Sequence, residues 1–225
     1  MLPEQPDFVS GEVILIDKPY EWTSFGVVKK IRNRLKIKKI GHAGTLDPLA
    51  TGLLILCTGK KTKEINNFQS LTKEYEGTLI LGKVSPSYDL ETEFEEINST
   101  ENVKAENIQA CGQQFIGEIQ QVPPLFSAVK LNGKRAYEYA REGSKIKLEA
   151  KTVVIENLSL EDSNFPEISF KVKCSKGTYI RSLVRDIGEC LGCGATMTSL
   201  KRTAIGNFKV SEAYQLNELI QKFSV

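Results

Sequence analysis

Histidine is almost missing from this chain: His42 is the only one in 225 residues. Long apolar runs are missing too. None approaches the ~20 residues needed to cross a bilayer, so no membrane-spanning helix is expected. Met1-Leu2-Pro3-Glu4-Gln5-Pro6-Asp7 has neither a basic nor an apolar stretch, so no secretory signal is expected. Cysteine is sparse and odd in number, at 57, 111, 174, 190 and 193. Cys190-Leu191-Gly192-Cys193 is a single C-x-x-C. Zinc would need further ligands, and a redox dithiol would need a thioredoxin-like context. No metal is expected, and the thiols read as reduced and structural in a cytoplasmic protein. The chain also has no internal repeat, low-complexity tract or linker, so one domain over 1–225 is expected. An apolar content of 40% with 26% charged residues fits a soluble globular protein.

Net charge is small, +2, but it is unevenly distributed. Residues 29–39 contain Lys29, Lys30, Arg32, Arg34, Lys36, Lys38 and Lys39 and no acid. Residues 89–106 reverse this, with Asp89, Glu91, Glu93, Glu95, Glu96, Glu101 and Glu106 against Lys104. A polyanion would be attracted to the first segment and repelled by the second. A basic run can equally be a solvated helix face, but this one leads directly into the most informative stretch of the chain.

That stretch is Gly41-His42-Ala43-Gly44-Thr45-Leu46-Asp47-Pro48-Leu49-Ala50-Thr51-Gly52. The glycines permit close backbone approaches. Pro48 biases Asp47 towards extended angles. Leu53-Leu54-Ile55-Leu56, bounded by Gly52 and Gly59, reads as a buried strand. A carboxylate is thus presented on a stiff turn beside a buried strand. On spacing alone, an ordinary Asp-Pro turn is an equal alternative.

The rest of the chain alternates strands and helices. Glu12–Ile16 reads as a strand. Thr23 or Ser24 can cap a helix with Val27, Val28, Ile31 and Leu35 on one face. Lys60, Lys61 and Lys63 fall at a helix start, and Lys73–Gly82 reads as a strand. An exposed acidic loop is expected to about residue 102, then an amphipathic helix carrying Val103, Ile108, Cys111 and Phe115. Asn132-Gly133 signals a tight turn. A short helix with Ala136, Tyr139 and Ala140 follows, ended by Gly143. Val153–Ile155 and Ile168–Cys174 read as strands. Thr178 can cap a helix burying Ile180, Leu183, Val184, Ile187 and Leu191. A last helix would carry Ala213, Leu216, Leu219, Ile220 and Phe223.

Separate stretches, in order along the chain, resemble the TruB family of tRNA pseudouridine-55 synthases, and the resemblance covers nearly the whole chain. They are Asp17-Lys18-Pro19 with Thr23-Ser24; Gly41–Asp47-Pro48 with Ala50-Thr51-Gly52-Leu53-Leu54; Lys73-Glu74-Tyr75; Val122–Tyr137 together with Gly177-Thr178-Tyr179-Ile180-Arg181-Ser182; and Leu200–Phe208. Ser85–Thr92 occupies the place of the family's Thr-x-Thr-x-Asp-x-x-Gly, with serines for both threonines and Thr92 for glycine. Glu21 also stands where the family usually has glycine.

The resemblance implies an α+β pseudouridine synthase fold, a mixed and mainly antiparallel sheet with flanking helices and a central RNA-binding cleft. It implies Asp47 as the catalytic residue, Tyr75 stacking on the target base and serving as a base, and Arg181 pairing with Asp47. His42 would help open the RNA loop, Tyr179 and Leu200 would line the base pocket, and Lys18 and Asp89 would lie near it. The expected substrate is the T stem-loop of tRNA, with no cofactor, metal or obligate protein partner. Many family members carry a further RNA-binding PUA domain; the 17 residues after Phe208 are too few for one, so none is expected. Other readings stay open: a non-catalytic RNA-binding protein, a guide-directed relative, or a glycoside hydrolase pairing Asp47 with Asp89.

Overall fold

The computed structural model describes residues 2–127, 129–131, 133–141, 146 and 148–223. In chain order these form β1 (Val13–Lys18), α1 (Ser24–Arg34), β2 (Ile40–His42), β3 (Thr51–Thr58), a 3-10 turn (Gly59–Glu64), α2 (Ile65–Ser70), β4 (Lys73–Leu81), β5 (Lys83–Val84) and β6 (Glu96–Ile97). They continue with α3 (Ala105–Gln114), β7 (Gly117–Gln121), β8 (Lys130–Leu131), β9 (Lys134–Arg135), α4 (Ala136–Arg141), β10 (Lys151–Asn164) and β11 (Glu167–Cys174). The last elements are α5 (Ile180–Cys190), β12 (Ala195–Ile205), β13 (Phe208–Lys209), β14 (Tyr214–Gln215) and α6 (Leu216–Phe223).

The chain divides into two compact units. One is Met1–Glu76 with Leu200–Val225 and the other is Gly77–Ser199. The chain passes between them within β4 and within β12.

In the first unit, β1 pairs antiparallel with β3 and parallel with β14, β3 also pairs with β2, and β12 pairs parallel with β3. The expected run Leu53–Leu56 is the middle of β3, whose side chains are buried on both faces. Leu54 and Leu56 join Ile14, Ile16, Val27, Val28 and Ile31 beneath α1 and α6. Leu53, Ile55 and Cys57 join Ala43 and Ile205 on the other face. That double coverage explains a continuous apolar run in place of alternation. Each such leucine or isoleucine contributes about 1.5–3 kcal/mol on burial. Helix α1 is capped by Thr23, whose hydroxyl accepts the Gly26 N–H at 2.9 Å. The segment carrying Lys60, Lys61 and Lys63 lies at a helix start, as expected: a 3-10 helix that runs directly into α2. Ala213 precedes the final helix, which starts at Leu216 after the short strand β14.

In the second unit, β10 pairs antiparallel with both β7 and β11. Strand β10 is 14 residues long, well beyond the expected Val153–Ile155. Its buried residues are Val153 and Ile155, then Leu158 and Leu160, so the buried parity switches midway. The register with β11 shifts between Ile155 and Asn157, and the bulge there absorbs the extra residue. Helix α3 covers this strand through Ile108, Cys111 and Gly112, and Gln109 donates to the Leu160 carbonyl at 2.8 Å. The Asn132-Gly133 turn and the end of the short helix at Gly143 involve residues outside those described.

Across both units the sheet pairings are mixed and mainly antiparallel, with helices packed on them, as expected for an α+β fold.

Candidate active site

Asp47 lies half-buried in the link from β2 to β3. The link is anchored at its start, where the Ala43 N–H donates to the Ile55 carbonyl at 2.8 Å. Gly44 then takes φ +106°, a left-handed step that side chains disfavour. At the far end the Ala50 N–H reaches the Asp47 carbonyl at 3.1 Å, closing a turn around Pro48.

Three buried side chains grip the backbone on both sides of Asp47. Arg202 donates from Nη2 to Gly44 O at 3.2 Å, from Nη1 to Thr45 O at 3.4 Å and from Nε to Leu53 O at 2.7 Å. The Ser24 hydroxyl donates to Leu46 O at 3.1 Å and accepts the Leu46 N–H at 2.8 Å. Lys18 Nζ donates to Pro48 O at 3.1 Å, Pro19 O at 2.9 Å and Trp22 O at 2.6 Å. Carbonyls 44, 45, 46 and 48 are therefore all held, and Asp47 is fixed between them. Hydrogen bonds from charged donors contribute about 1.5–3 kcal/mol each, which offsets part of the cost of burying two cations.

Burial lowers the Lys18 pKa to about 8; the Asp47 carboxylate opposes this and the Arg202 charge adds to it. These charges place Lys18, Asp47 and Arg202 in one electrostatic group. Burial also lowers the His42 pKa, with the Gly44 backbone opposing and Arg202 reinforcing, so the imidazole is neutral at pH 7. Its Nδ1 is buried with no hydrogen-bond partner among the described residues. Tyr75, on β4, is half-buried, and Leu200, on β12, is 8% exposed.

Gly52 follows the loop at φ +99°. A Cβ there would lie 2.3 Å from the Arg202 carbonyl oxygen and 2.6 Å from its nitrogen. The paired residues Gly52 and Arg202 thus need a glycine for β3 and β12 to approach, and that approach delivers the guanidinium to the loop.

The other expected residues belong to the second unit. Arg181, 4% exposed, faces Asp89 with Nε 3.6 Å from Oδ2. It also donates to Ser87 O at 3.2 Å and Phe126 O at 2.9 Å. The segment expected as a possible acidic surface loop is buried at Ser85, Ser87 and Asp89. Both serine hydroxyls donate to the Asp89 carbonyl, at 2.6 and 3.2 Å. Thr92 takes over the turn where the family has glycine: its hydroxyl accepts the Ser87 N–H at 3.1 Å and meets Ser87 Oγ at 2.9 Å. Tyr179 is half-buried and stands at the N-cap position of α5 without a side-chain capping bond, and the Thr178 hydroxyl is turned back to Ser175 O at 3.0 Å. Gln121 holds Tyr179 by both backbone groups, at 2.8 and 3.1 Å.

Against known families, residues 32–180 match the model described as TruB family pseudouridylate synthase (N terminal domain). Residues 181–224 match tRNA pseudouridylate synthase B C-terminal domain. The chain belongs to the TruB family of pseudouridylate synthases. As a member it is a pseudouridine-forming isomerase. It is similar to the tRNA pseudouridine synthase B of Phocaeicola vulgatus, 53% identical over 92% of this chain and 90% of that protein. With the protein of the same name from Flavobacterium johnsoniae it shares 48% identity over 96% of both. Among solved structures it resembles a Cbf5-Nop10-Gar1 complex, with TM-score 0.74 and 30% identity over 98% of this chain. It spans 58% of that structure's chain.

Two residues that hold the backbone around Asp47 were not singled out in the sequence reading, Arg202 and Ser24. A signal for the first exists. Leu200, Arg202 and Ala204 share one side of β12 by parity, and all three are buried, so a cation stands on an apolar face. Lys18 shows the same pattern after Ile14 and Ile16. Ser24 carries only the weaker sign that Thr23 already caps the helix. Among the described residues no cluster of His, Cys, Asp and Glu could hold a metal ion.

Proposed function

We propose that the protein converts the T-loop uridine at position 55 of tRNA to pseudouridine, with Asp47 as the reacting carboxylate. The observation that carries this is the loop itself. A half-buried Asp47 is fixed by bonds to the carbonyls on either side, with a lysine nearby, in a family of pseudouridylate synthases. The relatives at about half identity are named for tRNA.

Pseudouridine is an isomer of uridine, so the chemistry balances with no added reagent. The C1′–N1 bond breaks, C1′ rejoins at C5, the C5 proton leaves and N1 gains one. A carboxylate can carry this as a covalent nucleophile. Preorganisation is the contribution of Lys18, Ser24 and Arg202, because a carboxylate held in place needs no reordering in the transition state. Tyr75 offers a π face for the base and a hydroxyl that, as the phenolate, can take the C5 proton. The family resemblance would give Arg181, which pairs with Asp89, the role of supplying positive charge, and Tyr179 and Leu200 that of contacting the uracil. Extruding a base costs a few kcal/mol, and neutral His42 fills the space it leaves.

A glycoside hydrolase reading would need a second, water-accessible carboxylate. Asp89 is 2% exposed and paired with Arg181, which argues against that role.

The test is tritium release from C5-labelled uridine in an unmodified tRNA transcript. Release is expected from the wild type and not when the T-loop uridine is replaced. The Asp47→Ala protein should bind the transcript and release nothing. Product formed by that variant would remove Asp47 from the chemistry, and release from the altered transcript would move the target uridine.

A further inference from the structure

Helix α1 starts at the reactive loop and carries an exposed stripe that no core contact explains. Ser24, its first residue, is bonded both ways to Leu46, next to Asp47 in the chain. Phe25 follows and is 63% exposed. Lys29 and Arg32, one and two turns on, are exposed in line with it, since positions i, i+4 and i+7 share a helix face. The opposite face, Val27, Val28 and Ile31, is the one buried in the core. Beyond the helix Lys36, Lys38 and Lys39 are exposed as well, and no acid occurs between residues 29 and 39. Tyr20, just before the helix, is 53% exposed. An unburied phenylalanine loses the stabilisation its burial would give, so an exposed one heading a line of cations suits a partner that has both π faces and phosphates.

We propose that this face of α1 is a docking surface for the tRNA strand flanking the target uridine, with Phe25 stacked on a nucleobase and Lys29 and Arg32 against phosphates. The proposal rests on the tRNA reading above and extends it to a surface outside the reacting centre. Because α1 is tied to the loop through Ser24, RNA delivering a uridine to Asp47 runs out along the stripe. Phosphate contacts supply affinity and position the strand, while the aromatic ring accepts any base.

The experiment is filter binding of an unmodified tRNA transcript across a salt series, with tritium release measured in parallel. Phe25→Ala is expected to weaken binding about tenfold with the salt slope unchanged, as loss of one stacked base does. The double variant Lys29→Ala/Arg32→Ala is expected to flatten the slope of log affinity against log salt by about 1.5–2, one unit or slightly less per lost phosphate contact. At subsaturating tRNA the turnover of both should fall in proportion to the lost affinity. A control, Lys151→Ala/Lys171→Ala, removes two exposed lysines of the second unit and should leave the slope as it is. Wild-type binding by Phe25→Ala would overturn the proposal and leave the ring for a protein partner. An equal change in the control would also overturn it, because net charge alone would then explain binding. Binding and turnover separate the failures: tRNA bound through the stripe without tritium release would sink the catalytic reading and keep the docking surface.

Discussion

At the scale of single residues, two buried cations define the site as much as the carboxylate does. Arg202 is 1% exposed and bonds the carbonyls at 44, 45 and 53. We expect Arg202→Met to lower kcat about 100-fold while KM changes little, the cost of a carboxylate displaced by about 1 Å. Arg202→Lys, which keeps a charge, should recover part of it. Single-turnover assays on folded protein check this; an unchanged kcat per folded molecule would reduce Arg202 to a structural role. Lys18, with its pKa near 8, gives a pH signature. As pH rises through 8 the ammonium loses a proton and its three carbonyls lose a charged donor. The turnover of the wild type should therefore fall above about pH 8, and Lys18→Met should show a lower kcat without that alkaline limb.

At the scale of elements, turns carry the departures from the family's pattern. Glu21 occupies the left-handed region at φ +62°, where the family usually has glycine. That geometry costs a residue with a side chain roughly 1–2 kcal/mol, partly offset by the lower entropy of the unfolded glutamate chain. Glu21→Gly should raise stability by about 0.5–1 kcal/mol, read as a melting temperature higher by about 1–4 °C. Gly52→Ala should do the reverse. With its Cβ 2.3 Å from the Arg202 carbonyl, β3 and β12 must separate. We expect a loss above about 2 kcal/mol together with the activity; a fully stable Gly52→Ala protein would mean the strands adjust freely.

At the scale of the whole molecule, Lys18 also links stability to pH. Its pKa is about 8 when folded and 10.5 ordinarily. Between those values the unfolded chain holds one more proton than the folded one, so stability rises with pH there; below 8 the penalty is fully present. Denaturation midpoints of the wild type should thus gain on those of Lys18→Met from pH 8 to 10.5. Parallel curves would show that the lysine is not desolvated. The five cysteines form no disulfide among the described residues, and Cys57, Cys111 and Cys193 have pKa values raised chiefly by burial, to about 11 for Cys57. In those three, burial disfavours the reactive thiolate.

The sequence alone determined what is local. Apolar period and turn residues marked β1, α1, β3 and α3 close to their ends, because burial of one face or two writes itself into nearby positions. Gly41–Gly52, Lys73–Tyr75 and Gly177–Arg181 marked the residues proposed for the chemistry, because a motif is a short contiguous string. Tertiary structure alone decided what depends on partners far apart in the chain. Arg202 meets Gly44 across 158 positions, and Lys18 meets Pro48 across 30. Strand β10 hides its length behind a bulge that reverses its parity. Asp89, in a run of acids that reads as surface, is buried because Arg181 is brought to its carboxylate from a distant helix, while the neighbouring Ser85 and Ser87 hold its carbonyl. No spacing rule reports such contacts, since a buried charge is tolerated only where distant groups converge to satisfy it.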